Sequence, residues 1–188
     1  AKFAAAPFGV VERFAEGPAA DKPPALLPVT LRNVEVALRV QGLQPGAAAA
    51  PAGKVSTLKA RTDAEIIAWF KKVQRYDSYV VDRKQARKDV SGPLPQVLDK
   101  NIDKDYVQSR MLSLLAGKGG VKTLDLPQPA GNDPRPFEVV GIPLTPGFHV
   151  VEIASQKLGT SLLDERHGNA RTMFVRTSAL VTNLGVHF

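Results

Sequence analysis

The sequence predicts a mainly β protein, a fibronectin-like antiparallel β-sandwich that carries an α-helical insertion. Apolar and polar residues alternate with a period of two over residues 27–41 and again from 144 to the end, as half-buried strands require. Between these regions the hydrophobic period changes to 3.6 residues, which is typical of amphipathic helices. The predicted insertion covers about residues 57–118 of a single domain spanning 1–188.

Length and composition fit this class. A chain of 188 residues that is 44% hydrophobic can fill one core. No run of eighteen apolar residues occurs, which excludes a membrane-spanning helix, and the opening AKFAAAPFGVV lacks the features of a signal peptide. Because the chain opens on Ala, we expect a piece of a longer polypeptide whose targeting signals lie outside it.

The charge balance raises one binding hypothesis. Lys and Arg number 25 against 18 Asp and Glu, and the resulting charge of +7 is compatible with a nucleic-acid or anionic-surface partner. The absence of cysteine excludes disulfides, thiolate metal sites and cysteine nucleophiles. It leaves the redox compartment open.

The first third of the chain predicts three strands. Residues 1–14 contain Pro7 and Gly9 among apolar residues, a composition that suits an edge strand. A loop at 16–24 follows, and then two alternating segments, 27–33 and 34–41, predict the second and third strands.

The middle of the chain predicts two helices. Thr62 and Glu65 have the spacing of a capping box, and an apolar stripe follows them. That stripe comprises Ile66, Ile67, Trp69, Phe70, Val73 and Tyr76, of which we expect Ile66, Phe70 and Val73 to be buried. The second helix is predicted from Asp103 to Gly117, with Val107, Met111, Leu114 and Leu115 on one face.

The last third predicts further strands. Leu124 and Leu126 indicate a short strand, and residues 137–142 indicate another that ends at Pro143. Residues 148–153 and 173–188, joined by a polar loop, are typical of a closing hairpin. The final strand is long enough that residues 179–188 can also lead into a following domain.

One glycine-rich segment invites comparison with a phosphate-binding loop. In GKGGVKT, residues 117–123, Val121 separates the glycines from Lys122, whereas a P-loop has Lys directly after its last Gly. The segment also precedes a predicted strand rather than a helix. We therefore expect a glycine turn that ends the second helix.

Neither a metal site nor a hydrolase triad is predicted. His149, His167 and His187 lack the short spacing of metal-ligand pairs, and we expect the histidines on strands to face solvent. Ser178 or Ser155 can be imagined beside His149 as a triad, but no Gly-x-Ser-x-Gly elbow supports it.

A cationic stretch is the strongest candidate for binding. Seven Lys and Arg residues lie between Lys71 and Lys88, with Tyr76 and Tyr79 among them. If one helix continues through them, Arg83/Arg87 and Lys84/Lys88 form stripes that could follow a phosphate backbone. The other interpretation, which we favour, is a solvated face balanced by Asp77, Asp82 and Asp89.

The strand segments resemble one of the N-terminal macroglobulin-like domains of bacterial α2-macroglobulins. The segments that carry the resemblance are Pro7–Glu12, Leu27–Glu35, Pro143–Ile153 and, most specifically, Phe174–Phe188. The resemblance implies a seven-stranded fibronectin-like sandwich in a large periplasmic protein that is tethered to the inner membrane and traps peptidases. Family members act through a bait region and, in many, a Cys-Glu-Gln thioester, and neither motif occurs in this sequence.

The resemblance therefore transfers no catalytic, cofactor-binding or metal-binding residue. We expect a non-enzymatic scaffold without a cofactor. Its expected partners are adjacent macroglobulin-like domains, and target peptidases through the full-length protein, with no nucleic acid. The alternative is a basic module that contacts nucleic acid or anionic lipid through Lys71–Lys88.

Overall fold

Strands dominate the molecule. The computed structural model describes residues 2–4, 8–12, 25–32, 53–96, 100–126, 137–155 and 172–182. Its strands are β1 (Lys2–Ala4), β2 (Phe8–Glu12), β3 (Ala25–Arg32), β4 (Lys54–Ala60), β5 (Val80–Asp82), β6 (Tyr106–Gln108), β7 (Lys122–Asp125), β8 (Phe137–Leu144), β9 (Gly147–Ser155) and β10 (Met173–Thr182). Its helices are α1 (Asp63–Arg75), α2 (Arg83–Asp89) and a 3-10 turn, Ser109–Met111.

The strands form two main sheets and one small one. The five-stranded sheet has the order β2-β10-β9-β4-β7, the three-stranded sheet has the order β1-β3-β8, and β5 pairs with β6. All pairs are antiparallel except β2 with β10, which run parallel. The prediction of a mainly β protein with antiparallel sheets and helices is thus confirmed.

The inner faces of the two main sheets pack against each other, as in a β-sandwich. Alternate residues of the strands point inward, which is why every second side chain contributes to this core. Its buried members are Ala25, Leu27, Val29, Ile142 and Leu144 from one sheet, Val55, Val151, Ile153, Ala179 and Val181 from the other, and Leu126.

The outer face of the five-stranded sheet is also covered. Helix α1 packs on it, and so does the irregular segment 112–121, through a cluster of Ala60, Val73, Leu115, Phe148 and Val150. A second cluster joins the helices to the small sheet through Tyr76, Val81, Ala86, Val107, Leu112 and Leu114. Strands β9 and β10 therefore contribute buried residues on both faces of the sheet.

The first predicted helix is confirmed in detail. The hydroxyl of Thr62 accepts a hydrogen bond from the Glu65 amide at 3.2 Å, and the Glu65 carboxylate accepts one from the Thr62 amide at 3.3 Å. Of the three residues expected to be buried, Val73 is fully buried, whereas Ile66 and Phe70 are half-buried. Ile67, predicted to lie on the apolar stripe, is 54% exposed, so the buried face is narrower than expected.

The predicted start of the insertion is wrong. Residues 57–60 belong to β4, which pairs with β9 on one side and β7 on the other. The sequence does not predict this strand because Val55 and Leu58 are three residues apart and lie on opposite faces of β4, so they give no period-two signal.

The second predicted helix is also wrong. Val107, Leu114 and Leu115 are buried as expected, but they lie in β6 and an irregular segment. The helix that does form, α2, was not predicted because it has almost no apolar residues. It begins where the Asp82 carboxylate accepts a hydrogen bond from the Gln85 amide at 2.8 Å.

Two boundaries differ from the expectations. The predicted first edge strand is two strands, β1 and β2, which lie at edges of different sheets. Strand β8 continues through Pro143, which the sheet edge tolerates because an edge strand leaves half of its amide groups outside the ladder. The predicted strand at 34–41 and residues 183–188 lie outside the described residues.

Candidate functional site

Two opposite charges are buried side by side in the five-stranded sheet. Glu152 of β9 and Arg176 of β10 are direct cross-strand partners, and they are only 2% and 7% exposed. Their Oε2 and Nε atoms lie 3.5 Å apart, an ion pair without a hydrogen bond. Burial lowers the pKa of Arg176, while the charge of Glu152 opposes that shift.

The Arg176 guanidinium binds the backbone of the insertion. It donates to the carbonyl oxygens of Tyr76 at 3.0 Å, Ser109 at 3.1 Å and Leu112 at 2.7 Å. It also lies over the Tyr76 ring, 5.5 Å from the centroid. One side chain therefore connects the end of α1 and the segment 109–112 to the sheet.

The Glu152 carboxylate binds the next part of the same segment. It accepts hydrogen bonds from the amides of Leu114 at 2.8 Å and Leu115 at 3.4 Å, and from the Ser113 hydroxyl. These backbone groups would be paired within a helix, and buried ones need a partner in any conformation. Because sheet side chains supply those partners, this segment remains irregular.

A second buried carboxylate, Asp89, holds α1 and α2 together. It accepts hydrogen bonds from Arg75 at 3.0 Å, Gln85 at 3.1 Å and the Tyr76 hydroxyl at 3.2 Å. The Lys72 ammonium forms an ion pair with it at 3.4 Å. Burial pushes the pKa of Asp89 upward, but the Gln85 hydrogen bond and the Lys72 and Arg75 charges outweigh it and lower that pKa. Burial, followed by the Asp89 charge, raises the pKa of Tyr76.

The predicted cationic stretch is divided by the fold. Helix α1 ends at Arg75 and α2 begins at Arg83, so no single helical face carries all seven charges. Lys72 and Arg75 pair with Asp89, and Arg83 donates to the backbone oxygens of Lys104 and Tyr106. The exposed members are Lys71, Lys84, Arg87 and Lys88, together with Arg75, which is exposed although it pairs with Asp89.

His149 is buried, which contradicts the expectation that it faces solvent. It is 5% exposed, and its Nε2 donates to the Thr145 backbone oxygen at 2.7 Å. Burial lowers the pKa of His149, and the nearby charges of Lys59 and Lys122 act in the same direction although the Thr145 contact opposes them. His167 and His187 lie outside the described residues.

A cavity of about 500 Å³ adjoins His149 at one end of the sandwich. Three cationic side chains, those of Lys59, Arg61 and Lys122, contribute to its lining. Gly119 and Gly120, from the segment compared with a P-loop, line it as well. A second concave site in the described part of the chain, of about 590 Å³, adjoins Pro146 and Phe148.

The imagined triads are not assembled. Ser178 pairs with Val150 and lies on the outer face of the sheet, whereas His149 pairs with Ala179 and lies on the inner face. Ser155 is six residues from His149 along β9, which places the two about 20 Å apart. The structure therefore brings neither serine to His149.

The glycine-rich segment forms turns before a strand. Gly117 and Gly120 have φ values of +70° and +76°, which favour glycine, and β7 begins at Lys122. A P-loop opens a helix at this point, so the nucleotide-binding geometry is absent here. The expectation of a glycine turn is confirmed, but no helix precedes it.

The described residues present neither a metal-binding cluster nor a helix suited to a membrane. They contain no group of three His, Cys, Asp or Glu residues placed to hold a metal ion. None of their helices has the length and apolar character needed to cross a membrane.

Comparisons with known proteins identify no relative. No family model, curated protein or solved structure matches this chain.

Sequence reasoning overlooked the residues that matter most here. Glu152 and Arg176 are charged residues within strongly apolar strands, and that exception was a usable signal, since buried charges are rarely left unpaired. Lys59 and Lys122 gave no such signal, because lysine on a strand is ordinarily solvated.

Proposed function

We propose that this chain is a non-enzymatic scaffold, a fibronectin-like macroglobulin-like domain of a bacterial α2-macroglobulin that traps peptidases. In this proposal the parent protein is periplasmic and tethered to the inner membrane. The partners of the chain are adjacent macroglobulin-like domains, and it meets peptidases only through the full-length protein.

The contacts made by the two buried charges support the proposal. Glu152 and Arg176 have the chemistry of catalytic groups, yet both are engaged by backbone groups of the same chain. Such contacts make a rigid unit rather than a reactive one. The segments Pro143–Ile153 and Phe174–Phe188, which resemble the family, contribute β9 and β10 at the centre of the larger sheet.

A peptidase-protection assay tests the proposal. The parent protein and the isolated chain are each incubated with a peptidase, and cleavage of a large protein substrate is compared with cleavage of a short peptide. We expect the parent to suppress only cleavage of the large substrate, since a trapped peptidase still admits small molecules. We expect the isolated chain neither to inhibit nor to hydrolyse. Inhibition or hydrolysis by the isolated chain would contradict a scaffold role.

A basic binding module is the second candidate, and the exposed cations Lys71, Lys84, Arg87 and Lys88 favour it. It predicts binding to an unspecific DNA duplex that weakens steeply with salt, with a log–log slope of about −0.9 per phosphate contact. It also predicts weaker binding by K84Q/K88Q than by the matched control K100Q/K104Q. No binding at low salt eliminates this candidate.

A further inference from the structure

The inner face of the five-stranded sheet changes from apolar to cationic towards one end. Lys59 is the direct cross-strand partner of His149, and Lys122 is the partner of Thr57. Directly paired residues point to the same side of a sheet, and this is the side on which Val55 enters the sandwich core. The register therefore places two lysines and a buried histidine where the core ends.

In the described lining, three cationic side chains outnumber one acidic side chain. Glu65 is the one acidic residue among the described lining, and its Oε2 accepts hydrogen bonds from the Arg61 amide at 2.7 Å and the Thr62 amide at 3.3 Å. Neither Lys59 nor Lys122 has an ion-pair partner among the described residues. Lys59 and Lys122 are diagonal neighbours on adjacent strands, so their long side chains can reach one anion between them.

The cavity suits more than a bare inorganic ion. Its volume of about 500 Å³ lies within the range of small-molecule sites, and Leu58, Pro143 and Leu144 add an apolar wall. At Gly119 an added Cβ would meet nothing within 4 Å, so the backbone there is open to a ligand. Cationic groups beside an apolar wall suit an organic molecule with a charged end.

We propose that this cavity binds a small organic anion, whose carboxylate or phosphate group is held by Lys59 and Lys122. Arg61 adds a third positive charge, and the apolar wall receives the uncharged part of the ligand. This proposal is independent of the scaffold role and does not require the parent protein.

Titrations with three molecules of similar shape test it. Benzoate supplies a carboxylate, phenyl phosphate supplies a phosphate, and benzyl alcohol is the uncharged control. Each is added to the chain at constant ionic strength while amide NMR signals are followed. We expect saturable shifts at Gly119 and Gly120 with one or both anions and none with benzyl alcohol. The stronger binder identifies the preferred charged group.

Matched variants locate the site. In K59Q/K122Q we expect binding about tenfold weaker or worse, because two charge-assisted contacts are lost. K84Q/K88Q removes the same charge from α2 and should bind as the unmodified chain does. If K59Q/K122Q does not fold, the single variant K122Q, changed on the exposed strand β7, should still bind several-fold more weakly.

Three results would overturn the proposal. The first is that neither anion gives saturable shifts. The second is that benzyl alcohol binds as tightly as the anions. The third is that K84Q/K88Q weakens binding as much as K59Q/K122Q does, which indicates general attraction to a basic protein.

Discussion

At the scale of single residues, the buried charges act as ligands for backbone. Glu152 satisfies amide groups and Arg176 satisfies carbonyl groups of one irregular segment. Burying charge is costly unless it is paired and hydrogen-bonded, and both conditions are met here. These two residues therefore determine how the insertion lies on the sheet.

Arg176→Met should destabilise the chain by about 3–5 kcal/mol, because it leaves the Glu152 charge buried without its partner. Urea unfolding measures this change, and Lys84→Met at an exposed position is the control. The double variant R176M/E152Q should recover part of the loss, since it also removes the unpaired charge. A loss below about 1 kcal/mol for R176M, the range of an exposed ion pair, would show that this pair does not hold the insertion.

His149 should make stability depend on pH. Because burial and the Lys59 and Lys122 charges lower its pKa in the folded chain, the unfolded chain binds the proton more tightly. Its contribution is present above the ordinary histidine pKa of about 6.5 and is lost as pH falls towards the lower folded value. Urea unfolding between about pH 5 and 8 should show this fall, reduced in H149Q. An identical pH profile in H149Q would contradict it.

At the scale of elements, α1 is determined by signals within its own sequence, whereas residues 103–117 are determined by partners distant in the chain. Helix α1 contains its own cap and its own apolar face, so it forms as predicted. Residues 103–117 have a similar apolar spacing but no capping box, since Asp103 is followed three residues later by Tyr106 rather than Glu or Gln. Their buried backbone groups instead find partners in β5, Glu152 and Arg176.

The burial of α1 predicts a graded response to alanine. Val73→Ala should lower the free energy of unfolding by about 1.5–2.5 kcal/mol, because it removes two methyl groups from a side chain that is 1% exposed. Ile67→Ala, at a position 54% exposed, should change stability by less than about 0.5 kcal/mol. Phe70→Ala should cost less than the roughly 3–5 kcal/mol of a fully buried phenylalanine, because its ring is half-buried. Equal effects at Val73 and Ile67 in urea unfolding would mean that α1 does not pack as described.

At the scale of the whole molecule, β10 connects most of the layers. It pairs with β9 and β2, and Ala179 and Val181 enter the sandwich core at 0% and 2% exposure. Its opposite face carries Arg176 towards the insertion. The residues from Ala179 to Thr182 are thus part of this sandwich, whatever follows them.

Deletion of residues 179–188 should yield an aggregating or molten protein. The deletion removes buried core side chains, and each large one contributes about 1.5–3 kcal/mol to stability. It also removes nearly all of the residues that pair with β2. The total stability of a folded domain is only about 5–15 kcal/mol. Near-ultraviolet circular dichroism and thermal melting measure the loss. The control deletion, 183–188, should keep a cooperative melt. A cooperative melt at the original temperature after the longer deletion would assign residues 179–188 to a separate domain.

Local patterns alone identified the mainly β class, the α1 helix with its capping box, and the strands β3, β9 and β10, because alternation and capping are properties of neighbouring residues. Only the tertiary structure decided that β4 joins the larger sheet, that residues 103–117 are not helical, and that His149 is buried beside two lysines. Each of these depends on partners distant in sequence. A carboxylate on β9 can replace the hydrogen bonds of a helix, and sheet register can gather cations that the linear sequence keeps apart.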